Sequence, residues 1–183
     1  MQTLPDTHLV ISEMNNCLDE VMAWMDANFL QLDGSKTEAI LIGTHQTKFF
    51  GNNHILINRL VIPLSSLVPN LGVTFDPFLS FEAHIKRMCL SSFFHQRKNA
   101  RLRSSLKMPD AEKLMHAFIS SMLDYCNSPF IGLPAKSLQK LQYVHNSVAQ
   151  VSTKLQKIEL VLASLHWLPV KYRIELKNLL FVL

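Results

Sequence analysis

The hydrophobic period of this chain changes once, near residue 80, and that change limits what it can fold into. Between Gly34 and Phe75 the apolar residues come in short runs of Ile, Leu and Val bounded by Gly34, Gly43, Gly51 and Pro63, the mark of strands. From Ser80 onward they recur at three- and four-residue steps, the mark of helices. Strands before that point and helices after it give an α+β chain that is predominantly helical, with a small antiparallel sheet in its first part.

A helix precedes the strands. Ile11, Met14, Leu18, Val21, Met22, Met25 and Phe29 share one face over roughly residues 8 to 28, and such a face needs an apolar surface to lie on. Ala39–Ile42, Ile55–Ile62 with a turn at Asn58-Arg59, and Asn70–Phe75 read as three strands of one sheet. Beyond them Ser80 is a natural N-cap for a helix to about Leu102, with Phe81, Ile85, Met88, Cys89, Ser92, Phe93 and Ala100 as its stripe. Pro109-Asp110 opens another, with Leu114, Phe118, Met122 and Tyr125 inward. Further helices are expected at Ser137–Val151 (Leu138, Leu141, Val144 and Val148 inward) and at Val170–Phe181 after Pro169. Two parts result, residues 1–80 and 81–183.

Composition narrows the class further. With 48% hydrophobic residues and only five Gly among 183, the chain is built to bury a core, which excludes a disordered tail or a collagen-like rod. The best apolar run, Ile158–Val170, is broken by Glu159 and His166, short of the roughly 18 residues of a membrane span. Met1–Val10 carries Asp6 and no basic stretch, unlike a signal peptide. An intracellular protein of the cytoplasm or nucleus is expected, with no membrane partner. Cys17, Cys89 and Cys126 are odd in number and widely spaced, so reduced thiols are expected rather than disulfides or a zinc knuckle.

The net charge of +4 conceals an asymmetry. Residues 1–80 hold three Lys/Arg against eight Asp/Glu, a net of −5, and residues 81–183 hold fifteen against six, a net of +9. A basic half points to an anionic partner, nucleic acid being the commonest.

Catalytic patterns are sparse. His84 and Cys89 sit about 140° apart on a helical wheel, too far to share an ion, and the eight His form no ligand spacing. There is no G-x-S-x-G and no phosphate-cradling glycine loop. Asp19-Glu20, the one adjacent acidic pair, falls on the outer face of the first helix. No metal site and no small-molecule ligand are expected.

The helix after Ser80 carries the strongest feature. With Phe81 at 0°, the apolar stripe centres near about 50°, while Lys86, Arg97, Arg101, Arg87 and Lys98 fill an arc of about 140° to 260°. Between Glu82 and Lys113 there are eight bases and three acids, and a solvated face usually mixes signs. Such a stripe suits phosphate contacts, though pattern alone serves plain solubility equally well.

Specific strings then add a resemblance. CLDEVMAWM (17–25), LQLDGSKTE (30–38), NLGVTFD (70–76) and LSFEAHI (79–85), followed by LDYCN (123–127), GLPA (132–135), LQKLQ (138–142) and LHWLPV (165–170), stand in an order that resembles the reverse transcriptase of vertebrate LINE-type, non-LTR retrotransposons. The resemblance covers nearly the whole chain, and its specificity lies in the ordered set.

It implies that residues 1–80 are the C-terminal part of a polymerase palm and 81–183 its helical thumb and connection. Lys36 would match the palm lysine that lies near the incoming nucleotide's phosphates, a proposed proton donor. Asn70, Leu71 and Gly72 would match the hairpin that grips the primer end. Lys86, Arg87, Arg97, Lys98 and Arg101 would face the backbone of a template–primer duplex, read without sequence specificity.

The sequence also departs from the family. The Tyr/Phe-Ala-Asp-Asp box that holds the catalytic metal ions belongs just upstream of Met1, and no Asp-Asp occurs in the chain. Gln150 stands where an arginine is common, and the stretch from Thr153 to Leu162 looks shortened, as in a decayed genomic copy. The expectation is therefore a truncated RNA-directed DNA polymerase without polymerase activity of its own. It needs no cofactor as this chain, Mg²⁺ being implied only for the full-length enzyme. Two other readings stand beside it: a helical DNA/RNA-binding or protein-interaction module, and a translated relic without function.

Overall fold

In a computed structural model the chain is described over residues 7–31, 33–43, 54–57, 60–153, 161–163 and 165–182. The fold is α+β and predominantly helical. It divides into two compact units, Met1–Pro69 with Asp76–Leu79, and Asn70–Phe75 with Ser80–Leu183. Among the described residues no helix is long and apolar enough to cross a membrane.

The first unit begins with α1, Thr7–Ala27. Its Met14, Leu18, Met22 and Met25 are half-buried, while Val21 and Trp24 are exposed. Phe29, expected on the inner face, lies beyond the helix end at φ 57 and is 99% exposed. Leu30 N–H donates to Met25 O at 2.9 Å and Phe29 N–H to Asp26 O at 3.2 Å, which closes the helix by a Schellman motif with Phe29 in the left-handed position. The Ile11 side chain lies outside the described residues.

β1 (His54–Ile57) and β2 (Leu60–Pro63) pair antiparallel, Ile55 opposite Ile62 and Leu56 opposite Val61. The pleat alternates faces, so Ile62 is buried beside half-buried Ile55 while Leu56 and Val61 face solvent. The expected turn residues Asn58 and Arg59 lie outside the described residues.

The single three-stranded sheet expected from the sequence is replaced by two two-stranded sheets. Ala39 makes one parallel bridge with Leu64, its carbonyl accepting from Ser65 N–H at 2.8 Å, rather than a strand over 39–42. The segment read as a third strand folds back on itself as β3 (Val68–Asn70) and β4 (Val73–Phe75). Its middle residues, Leu71 at φ 46 and Gly72 at φ 83, have the paired positive φ values of a type I′ hairpin turn.

The second unit holds α2 (Glu82–Leu102), α3 (Met108–Met115), a π-helical segment (His116–Ser120), α4 (Ser121–Asp124), α5 (Ala135–Thr153) and α6 (Val170–Val182). Its core joins Ile85 and Met88 of α2 to Met115, Ile119 and Leu123, to Leu141, Val144 and Val148 of α5, and to Phe130, Trp167 and Ile174. The N-cap place of α2 falls to Phe81, at φ 54, one residue after the expected Ser80, whose Oγ accepts from Glu82 N–H at 3.3 Å from just outside the helix.

Two stripes differ from expectation. On α2, Gln96 and Asn99 are buried and Ala100 is exposed. At about 100° per residue the buried residues Phe81, His84, Ile85, Met88 and Ser92 centre near about 0° rather than 50°. Gln96 at about 60° and Asn99 at about 0° therefore lie nearer that centre than Ala100 at about 100°, and angular position outweighs polarity. Gln96 Nε2 is satisfied by Ser147 Oγ at 2.6 Å and Asn99 Nδ2 by Met115 sulfur at 3.6 Å.

On the helix that runs through Met108–Asp124, the buried row is Ala111, Met115, Ile119 and Leu123. Leu114 and Met122 are only half-buried, and Phe118 and Tyr125 are exposed. The π turn widens the helix between its two α segments and keeps this four-residue row facing the core where an α-helix would drift away. Ser121 Oγ donates to Ala117 O within the widened turn.

Candidate nucleic-acid interface

The candidate interface lies on α2, whose inner face is fixed by burial and whose outer face is therefore fixed as well. Lys86, Arg87, Arg97, Lys98 and Arg101 are all exposed on that outer face, and among the described residues none of the five is in an ion pair. Arg97 Nε donates to the Phe93 carbonyl at 3.2 Å, and Lys98 Nζ lies 4.4 Å above the ring of Phe94. Five cations without carboxylate partners among the described residues, spread over four helical turns, form a charged strip along one side of α2.

The hairpin turn of residues 70–73 docks against this helix. Arg87 donates from its guanidinium to the Gly72 carbonyl, and Tyr125 Oη donates to the Leu71 carbonyl at 2.6 Å. Thr74 N–H donates to His84 Nδ1 at 3.3 Å, which makes Nδ1 the acceptor and leaves the proton of the neutral ring on Nε2. Burial, and then the adjacent Arg87 charge, holds the His84 pKa below the ordinary imidazole value. Gly72 is required here by its φ of 83, and an added Cβ would sit 3.4 Å from Tyr125 Cε1.

The sequence residues matched to a primer-gripping hairpin, Asn70, Leu71 and Gly72, thus lie in the same unit as the basic helix and are bonded to it through Arg87. Lys36 belongs to the other unit. It ends a 3₁₀ turn, Gly34–Lys36, with an exposed side chain 3.1 Å from Asp33 Oδ2. Asp33 Oδ1 accepts from Ser35 Oγ at 2.6 Å and from Ser35 N–H at 3.0 Å. The Ser35 hydroxyl, and then Lys36, lowers the Asp33 pKa. The geometry is that of a capped surface turn whose lysine ammonium neutralises the capping carboxylate.

Sequence reasoning passed over three residues in or beside this face. Leu90 and Phe94 fall at about 180° and 220° on the same wheel, inside the basic arc, and both are exposed. Their signal was available, since an apolar residue in the middle of a charged arc breaks the amphipathic pattern. Tyr125, read as inward, instead turns outward and holds the hairpin.

Comparisons with protein-family models, with curated proteins and with solved structures return no match to this chain.

Proposed function

We propose that this chain corresponds to the palm end and thumb of a LINE-type reverse transcriptase, and that it contributes nucleic-acid backbone binding rather than nucleotidyl transfer. The observation that carries the binding half of this reading is the strip of five exposed cations on α2, none of them paired with a carboxylate among the described residues. Phosphates on a duplex backbone recur at a spacing that a straight basic helix can follow, and contacts of this kind position a duplex without reading its bases. The family half rests on the ordered strings of the sequence, with the hairpin matched to the primer grip bonded to the basic helix through Arg87. Two-metal transfer needs carboxylates that hold Mg²⁺ against the substrate phosphates, and the chain carries no Asp-Asp pair.

The test is a salt titration of affinity for a labelled RNA–DNA template–primer. If all five cations meet phosphates, log Kd against log salt has a slope of magnitude about 4 to 5, at roughly 0.9 per neutralised phosphate. Arg97→Gln with Arg101→Gln is expected to reduce it by up to about 2 without unfolding the chain, since both side chains are exposed. An unchanged slope and affinity in the folded double variant would move binding off α2. Primer extension above a no-protein control would overturn the non-catalytic part.

A further inference from the structure

A face that met only phosphates would have no use for exposed rings, and this one has them. Phe94 lies within the basic arc and is 50% exposed. Its neighbour His95 meets the Phe94 ring edge-on, with centroids 5.6 Å apart, and lies parallel to the ring of Phe118, at 5.6 Å and an interplanar angle of 14°. Phe118 comes from the π-helical segment and is itself 50% exposed. Two Phe rings from different helices are thus tied into one cluster by an imidazole, and half of each remains in water.

We infer that Phe94, His95 and Phe118 form a stacking platform for unpaired bases of a single-stranded nucleic acid, set beside the cations that hold its phosphates. The inference rests on the proposed backbone binding and names a second class of substrate for the same face. Three features favour this occupant. Aromatic rings interleaved with bases are what a single strand requires, because its bases offer π faces that a duplex keeps inside its own stack. The parallel His95–Phe118 contact holds a ring plane in place before any ligand arrives, which lowers the ordering loss on binding. The exposed Lys98 ammonium over Phe94 can leave the ring for a phosphate as a base takes its place, so charge and stacking are used together. An acidic or apolar protein partner would gain from either the cations or the rings. A single strand gains from both.

The π segment explains how Phe118 comes to be available. In it Ile119 and Ser120 are buried while His116, Ala117 and Phe118 are exposed, so the turn that keeps Ile119 in the core also puts Phe118 outside. Such π turns are frequent at functional sites.

The test compares three probes on the whole chain by fluorescence anisotropy: a labelled oligothymidylate, an abasic strand of the same length, and a blunt duplex. The wild-type chain is expected to bind the oligothymidylate more tightly than the abasic strand. Phe94→Ala with Phe118→Ala should lose roughly tenfold or more in oligothymidylate affinity, bind the abasic strand and the duplex unchanged, and keep its circular dichroism. Phe94→Trp should retain the preference for bases. Equal binding of base-bearing and abasic strands by wild type overturns the platform while leaving backbone binding intact, as does a double alanine variant that still discriminates them. Failure of wild type to bind any of the three probes removes the backbone reading along with the platform. A double alanine variant that changes only self-association would assign the rings to a second copy of the chain, which also overturns the platform.

Discussion

The Arg87 guanidinium donates to the carbonyl of Gly72, so a side chain of the basic helix also clamps the hairpin turn fifteen residues earlier in the chain. The same guanidinium lies 3.3 Å from His84 Nδ1, the atom that accepts from Thr74 N–H. Turn position and the proposed backbone binding therefore share one residue.

Arg87→Gln is expected to act on both. Loss of the donor to Gly72 should cost about 1 kcal/mol, since the bond is charged but exposed, and amide exchange at Val73 and Thr74 should quicken. The salt slope for duplex binding should fall by about 0.9. Arg87→Lys should keep the slope but not the slow exchange, because an ammonium lacks the planar fork. His84 offers an independent readout. Removing the adjacent positive charge should raise its pKa, which burial still keeps below the ordinary value, and an imidazole NMR titration would follow both effects. A Gln variant with wild-type exchange at Thr74 would show that the guanidinium does not hold the turn.

Gly72→Ala tests the turn from the other side. The φ of 83 puts an L side chain in a region that costs about 1 to 2 kcal/mol, and the new methyl meets Tyr125, whose hydroxyl holds the Leu71 carbonyl. Urea denaturation should show a loss of that size. Asn70→Gly, at a turn-flanking strand position, should change stability less, and the reverse order would mean that the turn is not of the type I′ form.

How far the sequence reveals this site depends on which signal each residue leaves. The basic strip was legible because charge repeats with the helix, and the inward row of α5 because Leu141, Val144 and Val148 have no competing row. The helix after Pro109 was not, since Leu114, Phe118 and Met122 and the row Ala111, Met115, Ile119 and Leu123 are both apolar at four-residue spacing. Only the π turn decides between them, and no residue type announces it. The hairpin at Leu71-Gly72 was hidden because leucine is a poor left-handed residue, overridden here by the bonds from Tyr125 and Arg87. The expected face of α1 is half-buried at Met14, Leu18, Met22 and Met25 but not at Val21, and Phe29 leaves it because the helix ends at Ala27 and Phe29 itself takes the left-handed closing place.

Acid should destabilise the second unit through His145. This residue is buried against Trp167, with ring centroids 5.1 Å apart, and its Nε2 is 3.4 Å from Arg173, which is itself paired with Asp124. Burial first, and then Arg173, lowers its pKa to about 4, opposed by Asp124. Its folded pKa lies below the unfolded value near 6.5, so between those values the unfolded chain binds more protons and stability rises with pH. The contribution is fully present above pH 6.5, falls as the pH drops from there to about 4, and is constant below. Its full size is of the order of 3 kcal/mol. His145→Gln should flatten the pH dependence of urea stability across that window, and an undiminished slope would place the proton uptake on other groups.

The C-terminus of α1 carries a strain that substitution can relieve. Phe29 takes the left-handed place in the Schellman motif while its ring packs on almost nothing, so the left-handed backbone is opposed by Cβ and the ring repays little of it. Glycine at this place removes a penalty of about 1 to 2 kcal/mol and gives back part of it through greater freedom in the unfolded chain, about 0.5 to 1 kcal/mol. Phe29→Gly should therefore stabilise the end of α1 by a net of about 0.5 kcal/mol or more, and Phe29→Asn by less, because asparagine tolerates this region better than other residues with a side chain. Phe29→Val, β-branched at the same φ, should destabilise it. The readout is amide exchange at Phe29 and Leu30, whose N–H groups donate to the Asp26 and Met25 carbonyls, with slower exchange expected in the order Gly, Asn, wild type, Val. If the valine variant protected these amides as well as glycine does, the left-handed geometry at Phe29 would not be what closes the helix.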